Sequence, residues 1–283
     1  MEREEQDRIA NAWRESAPYW EKHRERLRAM FEPLTVGLVE AASIAAGQHV
    51  LDVAGGPGEP AFSIAERVGP HGRVVTTDLS EGMVAATHRE AERAQVENLR
   101  CAVCSAMALP FRDASFDHTV CRLGAMFFPD TVEGVREMAR VTRSGGRVAF
   151  VVWGGLDRNP FFRIPSEVLA RFVPPDPEPP DAPNAWRFGE PGVLAGHLRA
   201  AGLANVAETL LSLDIELPID FDEFWRMRVE LSDSLREKLT RLDETMASSL
   251  GESVRQATSE FFTSGTMRFP AEVLVVAGTV VSH

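Results

Sequence analysis

The stretch Leu51-Asp52-Val53-Ala54-Gly55-Gly56-Pro57-Gly58 decides the architecture. It carries a short apolar run, His49–Val53, through a glycine turn into a helical stretch, Pro60–Val68. A buried strand that turns directly into a helix is the opening unit of a parallel α/β sheet, and ligands bind at the carboxyl edge of such sheets. Glycines at that edge let the backbone take positive φ and let a ligand approach closely.

The same alternation continues outward. Strands are expected at Arg73–Thr77, Leu99–Val103, Phe116–Cys121 and Arg147–Trp153, and helices at Glu81–Gln95 and Thr131–Val141. Gly69-Pro70-His71-Gly72 and Ser144-Gly145-Gly146 punctuate the joins. This pattern predicts a mostly parallel sheet with helices on both faces.

Beyond Trp153 the alternation breaks over Asp157–Arg187, where the proline run Pro174–Pro180 demands an extended loop. It resumes with a helix at Glu190–Ala201 and a strand near Val206–Leu217. A second insertion, Pro218–Phe269, shows helical periodicity at Phe224–Val229 and Leu235–Leu250, and Ala271–Val281 reads as a closing strand. A helical region, Asp7–Leu38, precedes the sheet.

With 283 residues, 44% hydrophobic and 25% charged, the chain has the balance of a globular protein. Its net charge of −12 argues against a nucleic-acid partner. The one dense basic run, Lys22–Arg28, alternates with Glu21 and Glu25 at spacings that suit ion pairs along a solvated helix face. No apolar run approaches the roughly 18 residues of a membrane span, and the charged start does not read as a signal peptide, so a cytoplasmic location is expected. Cys101, Cys104 and Cys121 suit a reducing compartment; they do not converge on a metal site, because Cys101 and Cys104 face opposite sides of one strand.

Two ligands fit the glycine loop by pattern. Gly56-Pro57-Gly58-Glu59-Pro60-Ala61 matches the dinucleotide fingerprint, with Asp78 about 20 residues further on. Charge separates the two: Pro57 and Pro60 remove donors and Glu59 places a carboxylate where a pyrophosphate would lie. A sulfonium amino acid carries no phosphate, and Asp52 is a candidate to receive its ammonium group. Asp78, ending the second strand, offers two oxygens to the hydroxyls of a ribose, with Leu79 and Met83 beside an adenine face.

Several segments together resemble the class I methyltransferases of the ubiquinone/menaquinone-biosynthesis type: Asp52–Gly58, Val75–Ser80, Ala108-Leu109-Pro110-Phe111 followed by Ser115-Phe116-Asp117, and Glu137–Val141 leading into Ser144-Gly145-Gly146. The resemblance implies a Rossmann-like seven-stranded sheet whose last strand is antiparallel and inserted beside the sixth. It implies a helical lid over residues 1–46, and a methyltransferase domain over 47–283 with helical cap insertions at about 157–187 and 218–269. S-adenosylmethionine is the cofactor it implies, held by Asp52, Ala54, Gly55, Gly56 and Gly58 at the methionine end and by Asp78, Leu79 and Met83 at the nucleoside. Ser105, Ala106 and Met107 would hold the adenine, and Arg122 and Leu123 would sit beneath the cofactor facing the substrate.

Where such proteins carry an acidic residue for the adenine amino group, this chain has Ser105, a neutral acceptor weaker by on the order of 1 kcal/mol. The partner expected is a small apolar or aromatic methyl acceptor, with a homodimer left open. His23, near Tyr19 and Trp20, is the candidate general base; Tyr19, Phe127, Trp153, Trp186 and Phe188 are candidates to line the acceptor pocket. Two other readings compete: a nucleotide-dependent oxidoreductase, and a cofactor-binding protein of the same fold that transfers no methyl group.

Overall fold

A computed structural model describes residues 2–174 and 183–281, with side chains from residue 8 onward. Strand β1 (His49–Val53) lies at the centre, buried from Val50 on, and pairs in parallel with β2 (Arg73–Asp78) and β4 (Phe116–Arg122). β3 (Leu99–Val103) extends the sheet beyond β2, and β5 (Thr142–Trp153) continues it beyond β4. The long β6 (Ala204–Leu217) and β8 (Thr266–Thr279) complete the order β3-β2-β1-β4-β5-β8-β6, and a two-residue strand, β7 (Phe262–Thr263), folds back on β8. β8 runs antiparallel to both β5 and β6. The Rossmann-like sheet, with its antiparallel strand inserted beside the sixth, is thus borne out.

Boundaries differ where turn residues sit inside elements. Ser144-Gly145-Gly146, expected as a connection, lies within β5 as an irregularity: Phe116 pairs with Thr142 and His118 already with Arg147, and Gly145 takes φ +80°. The last strand begins earlier than expected, at Thr266, because Thr266–Phe269 already pair with β6 or β7.

The N-terminal region is two helices, α1 (Glu2–Lys22) and α2 (Arg24–Ala42), which break at the buried His23. α2 packs on β4, β5, β6 and β8, so only α1 stands off the sheet, against α4 (Glu81–Arg93) and α8 (Phe221–Leu231). α3 (Ala61–Val68), α5 (Thr131–Val141) and α7 (Val193–Ala200) cover the remaining strands.

The first insertion contains α6 (Pro160–Leu169), which starts on Pro160 at a position where a missing N–H costs no bond. From Pro175 to Pro180 the proline run read as an extended loop lies outside the described residues. In the second insertion, the periodicity read as one helix over Leu235–Leu250 is two, α9 (Asp233–Leu239) and α10 (Glu244–Thr258). Ser232 and Asp243 each accept a backbone N–H as N-caps of their own.

Candidate functional site

At the carboxyl end of β1 the chain reverses through Ala54 (φ +58°), Gly56 (φ +58°) and Gly58 (φ +115°). Ala54 has a counterpart on the neighbouring strand, Leu123 (φ +60°), just past β4. Non-glycine residues in this region cost about 1–2 kcal/mol each and collect where backbone is held for a ligand. Both line one cavity.

Asp78 ties the loop to β2. Its Oδ2 accepts the Gly56 N–H (3.0 Å) and its Oδ1 the Ser80 N–H (2.8 Å). Burial pushes its carboxyl up to about 6, and those backbone donors oppose the rise. A carboxylate has about four acceptor positions, so two remain for hydroxyls entering the cavity. Ser80 caps α4 through Met83, which leaves Asp78 for the ligand side. Leu79, Met83, Ser105, Ala106 and Met107 form the adjoining wall with Cys104. The Ser105 hydroxyl accepts the Met107 N–H (3.2 Å) and donates to Met107 Sδ (4.0 Å), which leaves it one lone pair.

Asp52 does not line this cavity. It is fully buried behind Gly55, where Thr76 Oγ1 donates to its Oδ2 (2.9 Å), and burial raises its carboxyl to about 7. Its Oδ1 has no partner among the described residues. A side chain on Gly55 would collide with Thr76 and Asp52, so this glycine serves packing, whereas the space beside Gly56 is open. Gly58 also lies off the lining, against Phe62.

Beside Asp78, the acidic residue that lines the cavity is Glu59. Ser63 Oγ donates to it (2.8 Å) and Arg28 Nε lies 3.4 Å away, while burial raises its pKa. Arg122, at the end of β4, donates to the Glu59 carbonyl (3.0 Å) and Thr35 Oγ1 (2.6 Å) and so fastens α2 to the glycine loop. Burial lowers its pKa, against the pull of Glu59 and Asp52.

The other half of the cavity is apolar and comes from the N-terminal helices. Trp13, Trp20, Leu27 and Phe31 face Phe127 and Phe128. Trp13 meets Trp20 and Phe127 edge to face, with centroids 5.6 and 5.3 Å apart. The Trp20 Nε1–H is buried without an acceptor among the described residues.

The basic run at the junction of α1 and α2 does not form pairs along a solvated face, with only Arg24 reaching its neighbour Glu25 at 3.2 Å. Instead it joins elements: Arg24 to Glu90 (2.8 Å), Arg26 to Glu223 (2.6 Å), and Lys22 to Glu230 (2.7 Å). Partners distant in sequence fall within reach because α1 and α2 pass between α4 and α8.

Several expected lining residues lie elsewhere. His23 is buried with Nε2 2.6 Å from Glu230 Oε2, outside the cavity. Tyr19 stacks under Arg236 (4.4 Å). Trp153 touches Phe31 from behind (5.6 Å) and packs on Phe162 (4.8 Å), which in turn meets Trp186 (5.3 Å). Phe188 packs on His197 (5.4 Å). Among the described residues no histidine lines the cavity. Phe127 and Phe128, read from the sequence as candidate pocket aromatics, do line it, whereas Trp13, Leu27 and Phe31 carry no signal in sequence beyond the apolar face of a helix, and Arg24 none beyond its place in the basic run.

The strand order and the cavity across the ends of β1, β2 and β4 define a Rossmann-like fold with a ligand-sized cleft at the carboxyl edge of the sheet. Residues 37–172, just under half of the chain, match the model of the ubiE/COQ5 methyltransferase family, and the resemblance read from the sequence is borne out over that span. Over 105 residues the chain is 36% identical to a demethylmenaquinone methyltransferase of Listeria welshimeri, covering 37% of this chain and 44% of that protein. Over 110 residues it is 41% identical to the ubiquinone/menaquinone biosynthesis C-methyltransferase UbiE of Stenotrophomonas maltophilia, covering 38% and 44%. The chain therefore spans less than half the length of these curated relatives. Among solved structures, the YcgJ protein of Bacillus subtilis has the same fold, with a TM-score of 0.56 at 21% identity over 89% of this chain and 100% of that one.

Proposed function

We propose that the protein is an S-adenosylmethionine-dependent methyltransferase that acts on a small apolar or aromatic metabolite. The observation that carries this reading is one cavity with two unlike ends: Asp78 and the glycine loop at one, and the Trp13, Trp20 and Phe31 wall at the other. The family match over residues 37–172 supports the reaction class, and the relatives named for demethylmenaquinone support an aromatic, prenylated acceptor.

The residues fit the cofactor. Gly56 leaves open space, Asp78 has acceptor positions to spare for a ribose, and Leu79, Met83 and Met107 offer apolar walls to a base. Glu59, not Asp52, is the carboxylate available to the ammonium group, so the feature that spoke against a pyrophosphate becomes a binding group. When bound, the cofactor supplies an activated methyl group on a sulfonium. The chain's contribution is alignment and dryness: Trp13 and Phe127 close the cavity, Phe31 and Leu27 pack the acceptor, and Arg122 holds α2 in register with the loop. A methyl-transfer assay against a panel of phenols, quinols and polar amines tests this. Turnover of the aromatic members supports the reading, and turnover confined to the polar amines refutes it.

A further inference from the structure

A second pocket, with about 640 Å³ of empty space, lies in the cap between α6, α8 and α9, away from the cofactor cavity. Its floor holds Arg228 of α8, which is only 8% exposed. The guanidinium stacks over Phe161 (4.9 Å) and Phe162 (4.8 Å). Stacking engages the faces of the group and leaves its N–H edge without a bond. The Nε–H has no acceptor, and no carboxylate pairs with this side chain among the described residues.

That is unusual in a chain with 42 acidic and 30 basic residues. Other cap arginines find partners: Arg163 with Glu167, Arg241 with Glu237, Arg255 with Asp222. A cation buried without a counter-ion is costly, and burial lowers the Arg228 pKa only to about 10, so it stays charged at neutral pH. Lys238 lines the same pocket, as do Ser232 and Ser234, and no carboxylate lines it among the described residues. The Ser232 hydroxyl accepts the Leu235 N–H (3.3 Å), which leaves its proton to donate. Leu169 and Leu235 form an apolar wall.

We propose that this cap pocket binds the oxyanion group of a small carboxylate or phosphate through Arg228 and Lys238, with the ligand's apolar body against Leu169 and Leu235. A planar guanidinium with a free edge suits such oxyanions, and the lysine adds a second charge.

Thermal denaturation of the full chain at constant ionic strength tests the proposal, with chloride replaced by inorganic phosphate, hexyl phosphate or hexanoate. The expected result is a saturable rise on the order of 2–4 °C, reached at lower concentration with the hexyl compounds than with inorganic phosphate. Arg228→Leu should abolish the rise, and Lys238→Ala should weaken apparent affinity at least about threefold. Because Arg228→Leu removes an unpaired buried cation, it should melt in chloride no lower than the parent protein. An absent or unsaturable rise, a rise of equal size and affinity in both variants, or an Arg228→Leu protein that is unfolded or less stable in chloride would overturn the proposal.

Discussion

The Trp13 ring meets the Phe127 ring edge to face at 5.3 Å and joins the N-terminal helix to the loop beyond β4 in the wall of the cavity. If this contact closes the site, Trp13→Ala should raise the Kd for cofactor and the KM for acceptor by about tenfold, from the loss of two ring pairs worth about 0.5–1.5 kcal/mol each. Calorimetric and steady-state measurements check it. Unchanged binding and KM would mean that the lid does not enclose ligand.

The two carboxylates near the loop should separate cleanly. Glu59→Gln is expected to weaken S-adenosylmethionine binding by about tenfold, through loss of a charged hydrogen bond. Asp52→Asn should change affinity less than about threefold. An inverse ranking would return the ammonium site to Asp52.

Asp52 should instead control stability against pH. The folded protein keeps its proton up to about pH 7, whereas the unfolded chain releases it near 3.8. The unfolded state thus binds fewer protons in that window, and this residue's contribution to stability falls as pH rises through it, levelling above about 7. Denaturant unfolding at pH 5 and pH 8 should show Asp52→Asn gaining on the parent protein at pH 8, by on the order of 2–4 kcal/mol. Equal differences at both pH values would contradict the assignment.

Neighbouring glycines predict opposite failures. Gly55→Ala would drive a methyl group into Thr76 and Asp52 and should destabilise the fold by about 1–3 kcal/mol. Gly56→Ala meets no protein atom but stands in the cavity at φ +58°. It should cost about 1–2 kcal/mol of stability and most of the cofactor affinity. Melting temperature and Kd, read on both variants, distinguish the two effects.

His23 should be dispensable for chemistry. It is buried against Glu230, and burial lowers its pKa, so its contribution to stability is present above its unfolded pKa and lost as pH falls through the folded one. His23→Gln is expected to keep kcat and its pH profile within about threefold and to lose less stability on acidification than the parent protein. Loss of the acidic limb of the kcat profile would restore it as a base.

The sheet and the polar end of the cavity were legible because each rests on local chemistry: a glycine turn after Val53, an acidic residue ending β2, a hydroxyl cap at Ser80. The apolar half of the cavity was not. Trp153, Trp186 and Phe188 are as aromatic as Trp13 and Phe31, and only the packing of α6 and α7 decides that the first three fill the cap core behind Phe31. Likewise the charges of Lys22–Arg28 suit a solvated face by spacing alone. That they clasp the lid depends on Glu90, Glu223 and Glu230, which no short-range pattern connects to them.

Calorimetric titration of S-adenosylmethionine, with NAD as comparison, into the parent protein and Asp78→Ala decides whether the cavity holds the proposed cofactor. One site for S-adenosylmethionine, none for NAD, and about a hundredfold loss in Asp78→Ala are expected, as two charge-assisted hydrogen bonds disappear. Binding of NAD without S-adenosylmethionine, or S-adenosylmethionine affinity indifferent to Asp78, would contradict this reading.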